Sequence, residues 1–407
     1  MSKLDELIQK YCPNGVQYKK TKDIVKDSFW LMPSTPKFKD NGIHYITSKN
    51  IRNGKIIFKD AKFITEDDYN NISKNRPILK GDILITMIGT IGEVSIVDTD
   101  IKFYGQNIYL LRLNNKIILN KFYYYFITSN RIKTSLISKK NASSQGYIKA
   151  GSIENLFIPL PPLPVQEEIV RILDSFTKLN EKLNEELIKR KKQYEYYRDK
   201  LLNFDNKIKY MSLGELFEIK NGLNKEKEAF GKGVPIINFK DVYNNRWLDK
   251  NSFSGLVNVS EDEIERYSAR KGDIFFTRTS ETREDIGMAS ALIEDVPNCV
   301  FSGFILRARP TTKLLIPKFC AYYFSTTKVR NDIIRYASFT TRATTTGPKL
   351  SKLLMPIIPI VEQEYIVSIL DKFNILCNDL LPAEIEARKK QYEYYRDKLL
   401  TFKELKQ

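Results

Sequence analysis

Thirteen consecutive residues, Arg-Lys-Lys-Gln-Tyr-Glu-Tyr-Tyr-Arg-Asp-Lys-Leu-Leu, fill positions 190–202 and return without a mismatch at 388–400. In a chain of 407 residues this makes two halves, each closing on the same basic, Tyr-rich segment. Sequence between the copies has diverged. The pattern implies one scaffold used twice to carry two different heads.

The repeat reaches well upstream. Gln166, Glu167, Ile169, Val170, Ile172, Leu173, Asp174 and Phe176 recur 197 residues later as Gln363, Glu364, Ile366, Val367, Ile369, Leu370, Asp371 and Phe373. Pro159 and Pro162 recur as Pro356 and Pro359, Lys121-Phe122 as Lys318-Phe319, and Lys80-Gly81-Asp82-Ile83 as Lys271-Gly272-Asp273-Ile274. The basic block recurs at 198, so one residue is inserted before its second copy, near Pro382. Each half reads as a globular part, a Pro-rich strap and a long helix. The expected segments are a first head over 1–158, a first long helix with its strap over 159–206, a second head over 207–355 and a second helix over 356–407.

Apolar residues fall at 3-4-3-4 spacing along 166–204: Leu173, Phe176, Leu183, Leu187, Tyr194, Tyr197, Leu201 and Phe204. This heptad seam predicts a helix roughly 55–60 Å long, starting after the Pro-rich strap at 159–164. The second seam runs through Leu370, Phe373, Cys377, Leu380, Ile385, Tyr392, Tyr395, Leu399 and Phe402. A kink or break is expected near Pro382. A coiled coil formed within the chain buries both seams; a parallel homodimer seam is the alternative. In the heads, short apolar runs such as Ile83-Leu84-Ile85 and Ile274-Phe275-Phe276 follow Lys-Gly-Asp turns, and helical stretches fall near 123–136 and 321–334. These predict strand-rich α+β heads.

Net charge is +17 with a pI near 9.4, which points to a polyanion partner. Cys12, Cys299, Cys320 and Cys377 are scattered, without a C-x-x-C pair, and read as reduced cytoplasmic thiols. The opening Met1-Ser2-Lys3-Leu4-Asp5-Glu6 does not read as a signal peptide, and no run of 18 apolar residues would span a membrane. A catalytic reading fails on inventory. His44 is the sole histidine, Gly231-Lys232-Gly233 is only a fragment of a phosphate loop, and Gly89-Thr90-Ile91-Gly92 is no dinucleotide fingerprint. Methyltransferase motifs are absent. Glu281, Glu284 and Asp285 beside Arg283 read as a charged loop.

What remains is binding chemistry. Lys49, Asn50, Thr90, Gln106, Asn107, Ser143, Ser144 and Gln145 are the candidates for DNA contact in the first head. In the second they are Lys240, Arg278, Ser280, Arg283, Arg342, Thr344 and Thr345. Arginine suits guanine, Asn and Gln suit adenine, Ser and Thr suit either, and Lys suits phosphate. The block Lys189-Arg190-Lys191-Lys192, interleaved with Gln193, Glu195 and Asp199, reads as a solvated or partner-binding helix face.

Cys12-Pro13-Asn14-Gly15-Val16, Ile158-Pro159-Leu160-Pro161-Pro162-Leu163 with Gln166-Glu167, and Arg190-Lys191 with Tyr194, Tyr197, Arg198, Leu201 and Leu202 carry a resemblance. Pro356, Gln363-Glu364, the second basic block, Gly81-Asp82 and Gly272-Asp273 reinforce it. The chain resembles the specificity (S) subunit of type I restriction-modification systems over essentially its whole length. The resemblance implies two target recognition domains joined by two long antiparallel helices, with an internal pseudo-two-fold repeat. It also implies that each head reads one half of a bipartite, asymmetric duplex site. The helices would dock two adenine-N6 methyltransferase (M) subunits, and restriction (R) subunits would join through the complex. S-adenosylmethionine would sit in the M subunit, ATP and Mg in the R subunit, and no cofactor in this chain. Another class, a coiled-coil adaptor without sequence-specific DNA recognition, remains open, as does the S subunit of a methylation-only system.

Overall fold

A computed structural model describes residues 2–88, 90–138, 147–205 and 207–405. It divides into two units, Met1–Asn184 with Glu384–Gln407, and Glu185–Ala383. The division runs through both long helices, so each unit holds one stretch of each.

The first unit is built on a four-stranded antiparallel sheet in the order Val25–Leu31, Ile108–Leu113, Ile83–Thr86, Val94–Ile96. The second unit repeats this order with Phe217–Asn221, Ile305–Pro310, Ile274–Thr277 and Ala289–Leu292. It adds Trp247–Leu248 as a parallel edge strand. The apolar runs after the Lys-Gly-Asp turns are central strands covered on both faces. Ile83 and Ile85 enter one core cluster and Leu84 the other, just as Ile274 and Phe276 separate from Phe275. Burial on both faces is why these strands lack polar alternation.

Helix pairs cover one face: Asn120–Ile127 and Asn130–Ser138 in the first unit, Pro317–Phe324 and Thr327–Tyr336 in the second. The expected helical stretches at 123–136 and 321–334 are therefore each two helices, separated by a short turn. A smaller sheet with a parallel strand pair covers the other face. That pair is Ile43–Ile46 with Phe103–Gly105 in the first unit, and Ile236-Ile237 with Val300–Phe301 in the second.

The strap is not free coil. Phe157–Leu160 pairs with Gln17–Lys20, and Leu354–Pro356 pairs with Tyr210–Ser212. The first long helix runs Leu163–Leu201 and takes Pro164 into its first turn, where the missing N–H has no helical acceptor to lose. The second runs without a break, as Ile360–Ile375, a single π-helical turn at Leu376–Leu380, and Leu381–Leu399. The break expected near Pro382 is thus a π turn just before it, and Pro382 falls at the second position of the next α-helical segment.

In each unit the two helix stretches run antiparallel. Phe176 stacks on Tyr395 at 5.6 Å and 22° in the first unit, and Tyr197 stacks on Phe373 at 5.7 Å and 22° in the second. Tyr194 is buried and Leu173 and Leu370 are fully so. The seam is therefore filled within each unit, which removes the parallel homodimer seam.

Several duplicated clamps fix the heads to the helices. Gln166, fully buried, accepts from Leu119 N at 2.9 Å and donates to the carbonyls of Ile117 and Pro161 at 2.9 and 2.7 Å. Gln363 does the same with Ile316 N, Leu314 O and Ile358 O at 3.0, 2.8 and 2.9 Å. Asp174 takes Lys121 and the Tyr125 hydroxyl, both at 2.6 Å; Asp371 takes Lys318 and the Tyr322 hydroxyl at 2.8 and 2.7 Å. The Gly-Asp turns hold a forked ion pair in each unit. Arg112 donates to both Asp82 oxygens at 2.8 Å, and Arg309 to those of Asp273 at 2.8 and 2.7 Å.

Candidate nucleic-acid interface

The candidate residues converge where the parallel strand pairs end. In the first unit Lys49 follows strand Ile43–Ile46, while Gln106 and Asn107 follow its neighbour Phe103–Gly105. In the second, Lys240 follows Ile236-Ile237, and Gly303 and Phe304 follow Val300–Phe301. The two turns after the first strand share a design. Asn50 Oδ1 accepts from Thr47 N at 2.9 Å, and Asp241 Oδ2 accepts from Asn238 N at 2.7 Å. Each closes a tight helical turn that leaves the lysine just before it exposed. Lys49 and Lys240 therefore occupy the same scaffold position, a match invisible in their dissimilar surroundings.

Asn107 and Phe304 also correspond. Each is the residue just before the central strand, Ile108–Leu113 or Ile305–Pro310. Asn107 sits at φ 63°, a left-handed conformation that asparagine tolerates better than other side chains. Beside it, the Gln106 carbonyl accepts from the Tyr45 hydroxyl at 3.2 Å and Thr35 at 3.4 Å, which leaves its NH2 to donate outward. Burial pushes the Tyr45 phenol up to about 12, so it keeps the proton it donates.

A three-stranded sheet assembles the remaining second-unit candidates. Thr279-Ser280 pairs with Ala343-Thr344, which pairs with Ser338-Phe339. The register and the alternation of the strands put Arg342 on the face of Thr279 and Thr344, and Arg278 on the other face with Ser280. Arg278 donates to the Gly303 carbonyl at 3.3 Å. Arg342 is exposed, 3.8 Å from Glu281, and Arg283 lies over the Phe339 ring at 4.3 Å. A cavity of about 390 Å³ opens beside Arg342, with Phe239, Tyr243, Thr279, Phe304, Glu281 and Asp285 among its other walls.

Some candidates are corrected. Asn50 is buried, and its NH2 donates to the Ile57 carbonyl at 3.0 Å, so it holds a turn and offers no edge to a base. Ser280 is buried and accepts from Thr282 N. Thr345 is 1% exposed, and its N–H is bound by the Arg278 carbonyl. Thr90 and Thr344 are half-buried. Ser143, Ser144 and Gln145 lie outside the described residues. His44 packs edge-on against Phe58 and tilted against Phe63, each ring at 4.9 Å.

On the helices, the seam residues Leu173, Phe176, Leu183, Leu187, Tyr194, Tyr197, Leu201, Leu370, Phe373, Tyr392, Tyr395 and Leu399 are buried to half-exposed; Phe176 meets Tyr392 and Tyr395, and Tyr194 and Tyr197 meet Phe373, within the units. Other aromatic groups on the helices lie open to solvent. Tyr196 and Tyr394, the same position in the two copies of the basic block, are 59% and 63% exposed. A seam search selects buried stripes and so passes over them.

The fold is thus that of a two-headed protein with a duplicated head and helix. Residues 13–189 and 206–387 each match the type I restriction modification DNA specificity domain. The chain is 33% identical over 308 residues to the type I restriction enzyme EcoR124I/EcoR124II specificity subunit of Escherichia coli, covering 71% of this chain and 72% of that one. It is 26% identical over 357 residues to the EcoKI specificity subunit of Escherichia coli strain K12, covering 81% and 75%. Among solved structures, the HsdS subunit from Thermoanaerobacter tengcongensis matches with a TM-score of 0.53 at 17% identity, over 96% of this chain and 97% of that one. A chain of a type I restriction-modification complex matches with a TM-score of 0.65 at 18% identity, over 95% and 98%. The protein belongs to the type I restriction-modification specificity-subunit family. No helix among the described residues is long and apolar enough to cross a membrane.

Proposed function

We propose that each unit reads one half of a bipartite, asymmetric duplex DNA site, and that the helices dock two adenine-N6 methyltransferase subunits. The observation that carries this is the duplicated scaffold with diverged tips. Lys49 and Lys240 take equivalent places, suited to phosphate, while the neighbouring position changes from Asn107 to Phe304. Like scaffolds with unlike tips read unlike half-sites. The chain itself is non-catalytic and binds no cofactor. S-adenosylmethionine belongs to the methyltransferase subunits; ATP and Mg belong to restriction subunits that join through the complex. The cytoplasm is where such an assembly meets DNA. Tyr196 and Tyr394, with the lysines beside them, present matched faces to two copies of one partner.

Sequencing methylated DNA from cells that express the chain with its methyltransferase partner tests this. Two unlike half-sites separated by unspecified base pairs are expected. Exchanging 207–355 for a relative's head should change one half and spare the other. A continuous palindrome, or an exchange that alters both halves, overturns the reading.

A further inference from the structure

Phe304 is 66% exposed, the most exposed phenylalanine in the described chain, yet it is not on a loose loop. Its N–H donates to Ser302 Oγ at 3.3 Å, and its carbonyl accepts from Arg278 N at 3.0 Å. The preceding Gly303 is bound at both ends, its N–H to the Leu223 carbonyl at 2.7 Å and its carbonyl to the Arg278 guanidinium. A large apolar ring held out in water by its own backbone is a feature the fold does not need. It forms one wall of the cavity described above, with Phe239 and Tyr243 opposite each other in a stack at 5.7 Å and 15°.

We propose that this aromatic recess receives the 5-methyl group of a thymine in the half-site read by the second unit. The inference rests on that unit being a DNA head. A phenyl ring forms no conventional hydrogen bond with a base edge. The one apolar group that base edges show in the major groove is the thymine methyl. Arg342, also on the cavity wall, supplies the polar contact that places the ring there. Phe304 shares its cavity with Phe239 and Tyr243, and a hollow takes a protruding group; a wedge driven between base pairs is the outcome the test separates from this one. At the equivalent position the first unit offers Asn107, which pairs with adenine by hydrogen bonds, so the two heads differ in kind at one place.

The test uses the full chain assembled with its methyltransferase partner, and the duplex target mapped as above. Each thymine of the second half-site is replaced in turn by uracil, which removes only the methyl. One replacement should weaken binding about fourfold, the worth of one buried methyl-sized group. In Phe304→Ala the thymine and uracil duplexes should bind equally. In Phe304→Leu, which keeps an apolar contact, the preference should persist in part. Uracil in the first half-site should be indifferent to either variant, which also reports that the variants fold. The proposal is overturned if no thymine of that half-site is sensitive, if the half-site has none, or if sensitivity survives in Phe304→Ala. It is also overturned if Phe304→Ala instead relaxes a bend in the DNA, because the ring is then a wedge. Failure of the DNA-head reading looks different: exchanging 207–355 then leaves the target unchanged.

Discussion

Two classes of position separate when the first unit is laid beside the second. Gln166 and Gln363, Asp174 and Asp371, and the pairs Asp82–Arg112 and Asp273–Arg309 keep both identity and geometry. Asn107 faces Phe304, Glu168 faces Tyr365, and Leu110 faces Arg307. The kept residues satisfy buried backbone groups or each other, and losing one leaves a polar group dry. Among the changed ones, Phe304 and Tyr365 are exposed while Glu168 is buried. Leu110 and Arg307, both buried at the centre of the same strand, are the pair that needs a physical account.

The chain's two tryptophans, Trp30 and Trp247, lie one in each unit. Replacing either by Phe lets fluorescence follow the unfolding of the other unit alone in urea. The largest effect is expected from Asp82→Ala and Asp273→Ala. Each strands a partly buried guanidinium and should destabilise its own unit by ~3–5 kcal/mol. If one unit tolerates the change, the turns are not equivalent. Gln166→Ala and Gln363→Ala come next. Each leaves an N–H and two carbonyls without their partner, at an expected cost of ~2–3 kcal/mol.

Glu168 sharpens the comparison by pH. Its carboxylate is pulled down to about 2 by Arg171 at 2.6 Å and Lys3 at 3.1 Å. A carboxyl depressed in the folded state stabilises fully above its ordinary value near 4.5, and that contribution fades as pH falls toward about 2. Both cations are well exposed, so the gain is ~1 kcal/mol. The Trp30 signal should show a loss of stability between pH 4.5 and 2 that Glu168→Gln removes. With Tyr365 at that place, the Trp247 signal should lack this contribution.

The smallest effect separates a necessary charge from a tolerated one. Arg307 is 1% exposed, donates to the Ser268 carbonyl at 2.7 Å, and leaves its Nε without a partner among the described residues. Arg309 binds the same carbonyl at 2.8 Å. Arg307→Leu copies the first unit, leaves no acceptor stranded, and should shift stability by no more than ~1 kcal/mol, in either direction. A loss of several kcal/mol would show that the second unit has come to depend on this charge.

The duplication, the helices and the strand-rich heads were legible because they rest on period and on repeated residues. Gln166 and Asp82 could be seen to recur, but not why: their partners, Leu119 N and Arg112, are brought close by folding and not by spacing. The interface was legible only as a set of loops. Asn50 and Ser280 carry the right chemistry in the sequence, yet turn closure consumes it, and burial takes the Thr345 hydroxyl out of reach. The equivalence of Lys49 with Lys240 depends on parallel strand pairs of unlike sequence, and no pattern in the residues reports it.

The π turn at Leu376–Leu380 has a consequence for the history of the chain. A residue added to an α-helix rotates everything beyond it by about 100°. Unabsorbed, the insertion would have swung Tyr392, Tyr395 and Leu399 away from the first helix. Because one wide turn takes up the extra residue, the thirteen-residue block returns to phase and has stayed identical. The turn is a scar, left by an insertion in one copy or a deletion in the other after the ancestral unit doubled. It marks the stretch where the helix can gain or lose a residue and still be read in frame by whatever grips its far end.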